Sequence, residues 1–569
     1  MRVSDYIVSF LEERGVRHLF GYPGGMSTYL MESLSGSGKI QVHLAYHEQA
    51  AAFEAVGYAQ MVQEPVAVFT SSGPGATNLI TGICDAWFDS VPVLFITGNV
   101  NTYESRGAHS VRQKGFQETD IVHMIDEVTK FSCMISDPTD IRQALEKAFY
   151  EMTEGRPGPC LLDIPMDITR AEVIPEQLVG FKSGKEGTPQ KKLVCAAETI
   201  LKKMRGARRP VLLLGNGIHT AHVEKEVCAL AGKWGIPVVS SLPAFDLLAF
   251  CAPYSIGFIG AYGKRAANIV LEKSDLVISV GSRLDNRQTG TDVSWFATKA
   301  ELIRLDIDEE ELKLTIKEGE TQYRCDLAEI LPVLLEKEFS REYQEWLTVC
   351  RKIEEKLDSY DQNEPVEFLK ELFSYLPEES VITTDVGQNQ IWVPQAMDIR
   401  KKVRILFSAG LGSMGYSLPA AIGAQIASGK PVFCFNGDGG VQMNIQEMQF
   451  IAREKIPVKI IVLNNHSLGM IRQFQELYFD SNHFMTTEGC GYSAPDFSAI
   501  AQAYGIPARN VSLNEAKTCA EFLMCHDHCL INVDMGNRTY LKPKSLYNKP
   551  LAYQIPSLPE ELQDELMEM

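Results

Sequence analysis

Two short motifs in the last third of the chain carry metal chemistry in their residue types and spacing. Gly437-Asp438-Gly439 closes the apolar run PVFCFNGDG (431–439), Asn464-Asn465 closes VKIIVLNN (458–465), and 24 residues separate them. Both runs are short, β-branched and end in turn residues, so each reads as a buried parallel strand. Lying side by side, such strands deliver Asp438 and Asn465 to one sheet edge. Asp438 offers a carboxylate oxygen, Asn465 an amide oxygen, and the backbone just beyond it a carbonyl. With two phosphate oxygens and water these complete an octahedron of hard ligands that suits magnesium. Gly437 and Gly439 let backbone N–H groups approach an anion, and a helix expected to begin near Asn444 turns its N-terminus toward the same charge. A lone GDG or NN is an ordinary turn. Strand, GDG, helix, strand and NN in that order predict a divalent cation clamping a diphosphate.

This order resembles the C-terminal part of the thiamine-diphosphate enzymes. The resemblance implies that Asp438, the side chain of Asn465 and the backbone carbonyl of Ser467 ligate magnesium. It implies further that Gly437, Gly439, Gly440, Gly469 and Met470 border thiamine diphosphate. It sets Val386, Gly387, Gln388 and Asn389 of DVGQNQ (385–390) near the diphosphate. Asn389 stands where acetolactate synthases usually carry His, and an amide does not change charge with pH. In SAGLGSMGYSLPAAIGA (408–424), Gly412 would meet the aminopyrimidine through its backbone and Met414 would be the apolar wedge that keeps the cofactor bent.

A thiamine cofactor needs one carboxyl group to share a proton with its pyrimidine N1′, because the C2 proton is removed by the cofactor's own imino nitrogen. Burial that raises the carboxyl pKa toward neutrality favours such sharing. In HLAYHEQAAAFEAVGYAQ (43–60), Glu48 opens an alanine-rich helix and matches the family's glutamate. An isolated Glu there would only favour the helix dipole. FGYPGG (20–25), SSGPGATNLITGICDAWFDSVPVLFITG (71–98), FQETDIV (116–122) and GRPGPCLLDIPMDI (155–168) extend the resemblance to acetolactate synthase over nearly the whole chain. It implies that Gly25 supplies a backbone donor near the reacting carbon and that Pro74 and Asn78 line the pyrimidine pocket. Phe116 and Gln117 would line the substrate side, and Lys130 would stand near the active-site mouth. The family's two halves meet across a subunit interface, so a homodimer or homotetramer is expected.

The implied reaction decarboxylates a 2-oxoacid such as pyruvate and adds the acyl unit to a second carbonyl. Three departures from the family leave the acceptor open. HSVRQKGFQE (109–118) places Arg112 and Lys114 near the expected substrate channel, which suits an acceptor bearing phosphate or carboxylate. Phe474 in GMIRQFQELYF (469–479) replaces the Trp that shapes the pocket for a second 2-oxoacid, and a smaller ring leaves more room. The ending NRTYLKPKSLYNKPLAYQIPSLP is unusual. A carboligase that adds a two-carbon unit to a keto sugar or aldehyde is therefore the alternative, alongside a simple 2-oxoacid decarboxylase. Flavin adenine dinucleotide is a further open cofactor. GSRLDNRQTG (281–290) and RLDID (304–308) resemble the family's flavin site through Arg283, Arg287 and Asp306, whereas PVVSSLPAFDLLAFCAPYSIGFIG (237–260) departs from it. Flavin would be structural, since the carboligation needs no net redox step.

These residues require α/β elements to hold them. Runs such as PVAVFTSS (65–72), VPVLFITG (91–98), PVLLLGNG (210–217) and DLVISVGS (275–282) alternate with helical periods, predicting three doubly wound parallel-sheet domains. The polar stretches FKSGKEGTPQKK (181–192) and 336–365 divide the chain into a pyrimidine-binding unit at 1–180, a central unit at 190–340, a diphosphate-binding unit at 360–545 and a C-terminal tail at 546–569 that ends in the acidic LPEELQDELMEM. The first and third units are candidates for a shared fold. No GxGxxG follows a strand with an acidic residue about 20 positions on, which argues against a nicotinamide dehydrogenase. A net charge of −19 opposes nucleic-acid binding. No apolar run approaches a membrane span, and the N-terminus lacks a signal-peptide pattern, so a soluble cytoplasmic protein is expected. The 13 cysteines read as scattered buried thiols, and Cys525-His526-Asp527-His528-Cys529 reads as a helix-to-strand turn rather than a metal site.

Overall fold

The structure, a computed structural model, describes residues 1–184, 187–357, 360 and 363–569. Three six-stranded, fully parallel sheets follow one another along the chain. The first comprises β1 (His18–Gly21), β2 (Gln41–Leu44), β3 (Val66–Thr70), β4 (Val93–Asn99), β5 (Phe131–Met134) and β6 (Cys160–Pro165), in the order β2-β1-β3-β4-β6-β5. The second comprises β7 (Pro210–Leu214), β8 (Val238–Ser240), β9 (Ser255–Phe258), β10 (Leu276–Val280), β11 (Glu301–Asp306) and β12 (Thr321–Arg324), in the order β9-β8-β7-β10-β11-β12. The third comprises β13 (Val381–Thr384), β14 (Arg404–Phe407), β15 (Val432–Gly437), β16 (Val458–Asn464), β17 (Ala508–Ser512) and β18 (Cys529–Asp534), in the order β14-β13-β15-β16-β18-β17. The central strands are buried along their whole length, which is why they read as unbroken apolar runs.

The first and third sheets have one topology. The second has the strand order of a dinucleotide-binding fold, with its switch point between β7 and β10. The sequence therefore held two copies of one fold without a visible repeat, flanking a third of a different kind.

The two alike domains touch through topologically equivalent helices, α1 (Glu48–Val62) after β2 and α2 (Ser417–Ser428) after β14. Two glycines set the crossing. A Cβ on Gly57 would fall 2.3 Å from the Ala420 carbonyl oxygen, and one on Gly423 would fall 1.8 Å from that of Glu54. Small residues on both helices thus let the backbones approach, as the alanine content of α1 suggests.

This crossing buries two carboxyl groups. Glu54 is fully buried, and neither of its oxygens has a well-aligned hydrogen-bond partner. Beside it, Glu447 accepts the backbone N–H of Tyr46 at 2.9 Å. Burial pushes both groups up, Glu447 to about 8, and the charge of Glu447 raises Glu54 further, with Arg453 the nearest opposing cation. The unfolded chain ionises these groups near their ordinary 4.5, whereas the fold keeps Glu447 neutral to about 8. Stability therefore falls as pH rises from 4.5 through 8, by about 1.4 kcal/mol per pH unit for each carboxyl held neutral. Glu54→Gln should raise the melting temperature at pH 8 and leave it nearly unchanged at pH 5. Equal shifts at both values would refute the assignment.

Three expectations need correction. The helix after the GDG motif starts at Asp438 rather than Asn444, which sits at a kink (φ −132°, ψ 34°). The Asn444 amide instead donates to Gly415 O at 2.8 Å and to Gln49 at 3.4 Å, which ties the kink to two distant segments. Cys228 and Cys251 are paired as a disulfide, their Cα atoms 4.8 Å apart, so the cysteines are not all scattered thiols. A separation of 23 residues, spanning the end of a helix, β8 and a 3-10 helix, gave no local signal of that pairing. The acidic end is not a free tail: the helix Glu560–Glu568 buries Leu566, and Lys273 donates to the Met567 carbonyl. The Cys525–Cys529 cluster is the turn between the helix Ala516–Cys525 and β18, and among the described residues no three His, Cys, Asp or Glu side chains gather as a metal site.

Candidate active site

In the first domain the predicted residues converge on the carboxyl ends of β1 and β3. Glu48 is the first residue of α1, partly buried, and the Asn78 amide donates to its Oε2 at 2.9 Å. Its Oε1 faces Gly75, where a Cβ would stand 3.6 Å away. Pro74 opens the short helix that carries Gly75 and leads to Asn78. Gly73 (φ +61°) and Gln117 (φ +65°) both adopt left-handed backbone and pack together. The loop holding Gly25 lies on Ser71, whose hydroxyl accepts the Met26 N–H at 3.3 Å. Gly25, Pro74, Asn78, Gln117 and Glu48 thus share one neighbourhood, and Phe116 stands 80% exposed beside Gln117.

In the third domain the two motifs lie together. β15 and β16 are adjacent, with Gly437 opposite Leu463, so Asp438 and Asn464-Asn465 leave the sheet side by side. The Asn465 amide nitrogen donates to Gln388 Oε1 at 2.8 Å and to Thr539 Oγ1 at 3.0 Å, which turns its oxygen toward Ser467. Asp438 is 2% exposed and, among the described residues, forms no salt bridge; burial pushes it up to about 6 against the Tyr492 hydroxyl, which donates at 2.9 Å, and the nearby His466. A buried carboxylate, an amide oxygen held by its own nitrogen's partners and the nearby backbone carbonyl of Ser467 offer an all-oxygen donor set. This set fits magnesium.

The glycines let the loops around this donor set pack closely. A Cβ on Gly439 would lie 2.8 Å from Leu468 and 3.2 Å from Met414 Cε, and one on Gly440 would lie 2.7 Å from Asp385 Oδ1. Gly387 and Gly412 have φ of +144° and +74°. Asp385 accepts the N–H groups of Val386 and Gly415, so it fixes the loops on either side. Gly469 crowds Gln388 and Asn465, and Met470 packs against the core behind them. Asn389 lies against the turns at Gly387 and Gly437. Its amide nitrogen donates to the Asp385 carbonyl at 2.8 Å, and its oxygen faces Gly387 and Gly437, so it braces the loop.

The remaining candidates spread out. Lys130 donates to the carbonyls of Glu154 and Arg156, away from Glu48. Arg112 and Lys114 lie in an exposed loop, where Lys114 holds Tyr103 O at 2.8 Å. Arg283 and Asp306 line a cavity of about 760 Å³ at the middle sheet's switch point, together with Asn216, Gly217 and Arg404. Arg287 lies in the neighbouring cleft and donates to Gln390 at 3.1 Å. Phe474 is 43% exposed on α3 (Gly469–Tyr478).

Sequence reasoning missed Tyr492, Asp385 and Thr539. Thr539 donates to Gln388 Oε1 at 2.8 Å and accepts from Asn465, 74 residues away in sequence. Its only signal was the unusual ending in which it lies.

Known proteins match these domains one by one. The N-terminal TPP-binding domain of thiamine pyrophosphate enzymes matches residues 1–124, the central domain residues 197–334, and the C-terminal TPP-binding domain residues 385–533. The acetolactate synthase large subunit of Lactococcus lactis is 35% identical over 91% of this chain and 89% of its own length. The isozyme 2 large subunit of Escherichia coli is 34% identical over 90% of this chain and 91% of its own length. The probable large subunit of Methanocaldococcus jannaschii is 34% identical over 91% and 89%. Three domains in order, a donor set that fits magnesium and full-length relatives place the chain in the thiamine-pyrophosphate enzyme family, among the acetolactate synthase large subunits.

Proposed function

We propose that this carboligase joins the acyl fragment of a 2-oxoacid to a second carbonyl compound at a site assembled from the first domain of one copy and the third domain of another. The convergence of Asp438, Asn465 and Ser467 at two adjacent strand ends carries this reading. Bound thiamine diphosphate supplies the nucleophilic carbon and the electron sink for decarboxylation. Asp438, the Asn465 oxygen and the Ser467 carbonyl hold magnesium, and Gly437, Gly439 and Gly440 leave room for the diphosphate. Gly412 and Met414 face the same space from the next loop. Glu48, steadied by Asn78, holds a proton at the cofactor's pyrimidine. Gly25 and Gln117 border the acceptor.

A shared site accounts for the exposure of apolar side chains at both halves of a single chain. Tyr22 and Phe116 are exposed near Gly25 and Gln117, as are Leu411 and Met443 near Gly412 and Gly415. A dimer would cover them. Mixing Glu48→Gln protein with Asp438→Ala protein under subunit exchange should restore part of the activity that each lacks alone. No restoration in a verified mixed dimer would place both residues of a working site on one chain.

The acceptor is read from products. Holoenzyme given pyruvate alone should form acetolactate. Product formed only after a keto sugar or aldehyde is added would favour the second reading, which Phe474 supports, and free aldehyde alone would mark a decarboxylase. Flavin belongs in the switch-point cavity, between Arg283 and Asp306, and the absorption spectrum of the denatured supernatant reports it.

A further inference from the structure

The C-terminal segment places one cation among aromatic rings, where no carboxylate of the described residues pairs with it. Lys544 is 8% exposed, and its ammonium lies 5.9 Å from the ring centre of Phe474, 5.1 Å from that of Tyr478 and 5.6 Å from that of Tyr547. Such a cage attracts a cation through the ring faces. Among the described residues the Lys544 ammonium makes one hydrogen bond, a long one of 3.5 Å to the Tyr478 hydroxyl, although an ammonium carries three donors. Among the described residues no carboxylate pairs with it, in a chain with 73 acidic residues. The rings remain open to solvent: Phe474 is 43%, Tyr478 47% and Tyr547 52% exposed.

The position is tied to the proposed metal site through short stretches of chain. Phe474 and Tyr478 belong to α3, which begins two residues after Ser467. The segment leading to Lys544 starts at Thr539, whose hydroxyl touches Asn465, and five residues of chain reach at most roughly 18 Å. Gln473 fixes that segment to α3 in both directions, donating to Leu541 O at 2.9 Å and accepting its N–H at 2.8 Å. A lysine that only pinned the segment would spend its donors on carbonyls, as Lys273 does on Met567. Lys544 leaves two donors unspent beside the residue expected to shape the acceptor pocket.

We propose that Lys544 binds the anionic group of the acceptor, the carboxylate of a second 2-oxoacid or the phosphate of a sugar. The assignment rests on the carboligase reading above and specifies its second substrate. The test uses holoenzyme with pyruvate as donor and three acceptors: a second pyruvate, glyceraldehyde 3-phosphate and neutral acetaldehyde. Lys544→Met keeps the stem that packs among the rings and removes the charge. It should raise KM for the preferred anionic acceptor at least about tenfold with kcat changed less than about threefold, shifting preference toward acetaldehyde by a similar factor. Lys544→Arg should recover most of the loss. Which anionic acceptor responds identifies carboxylate or phosphate. Equal changes for charged and neutral acceptors, or none, would overturn the proposal and leave Lys544 as a clamp. Calorimetric titration of oxamate and of inorganic phosphate into wild-type and Lys544→Met holoenzyme asks the same question without turnover. Loss of anion binding in the variant supports the site and equal binding refutes it, even if wild-type protein consumes no pyruvate and the carboligase reading itself fails.

Discussion

Glu48→Gln should lower kcat for product formation by about 10²- to 10⁴-fold, the range for removal of a positioned acid–base group, while the protein still folds and takes up cofactor. The side-chain amide is nearly isosteric with the carboxyl. Its oxygen can still accept the Asn78 N–H that now reaches Oε2 at 2.9 Å, so the side chain keeps its place. What disappears is a group able to share a proton. Isotope exchange at the thiazolium carbon of bound thiamine diphosphate, read by magnetic resonance after acid quench, isolates this step from the rest of turnover. Exchange as fast as in wild type would remove Glu48 from its role and shift suspicion to another carboxyl. Slow exchange with unchanged cofactor affinity would separate proton sharing from binding.

Much of this arrangement was legible because its parts are local. Asp438 and Asn465 each end an apolar strand run, and parallel pairing of β15 with β16 is the simplest way to bury both. The glycine positions were legible from the motif, but the structure gives them a packing reason: a Cβ on Gly439 would strike Leu468 and Met414, and one on Gly440 would strike Asp385. The shared topology of the first and third sheets was harder to see. A parallel strand needs only burial on both faces, so many unrelated apolar runs satisfy it and no repeat survives in the residues.

Contacts between distant segments stayed hidden. Thr539 orients the Asn465 amide from the far end of the third domain, and Glu54 meets Glu447 across a helix crossing. A buried Glu in an alanine-rich helix looks from sequence like a solvated face. Only the close approach at Gly57 and Gly423 shows that it is not.

Asp438→Ala should weaken magnesium-dependent uptake of thiamine diphosphate by more than about 100-fold, since loss of even an outer-sphere partner can cost 10- to 100-fold. Asp438 is the only carboxylate in its donor set. Without it, an amide oxygen and a carbonyl must hold a divalent ion with dipoles alone. The effect on stability should have opposite signs with and without ligands. In metal-free protein the buried Asp438 is pushed up to about 6, so at pH 7.5 the fold bears an ionised carboxylate that burial disfavours. Alanine removes that burden, and the metal-free variant should melt no lower than metal-free wild type. Wild-type protein gains about 2.7 kcal/mol when ligands are present at 100 times their dissociation constant, and the variant should gain almost none. Thermal melts with and without magnesium and cofactor test both halves together. A variant that melts lower in both conditions would mean that Asp438 supports the fold itself, through Tyr492 and the Ser467 backbone, rather than the metal.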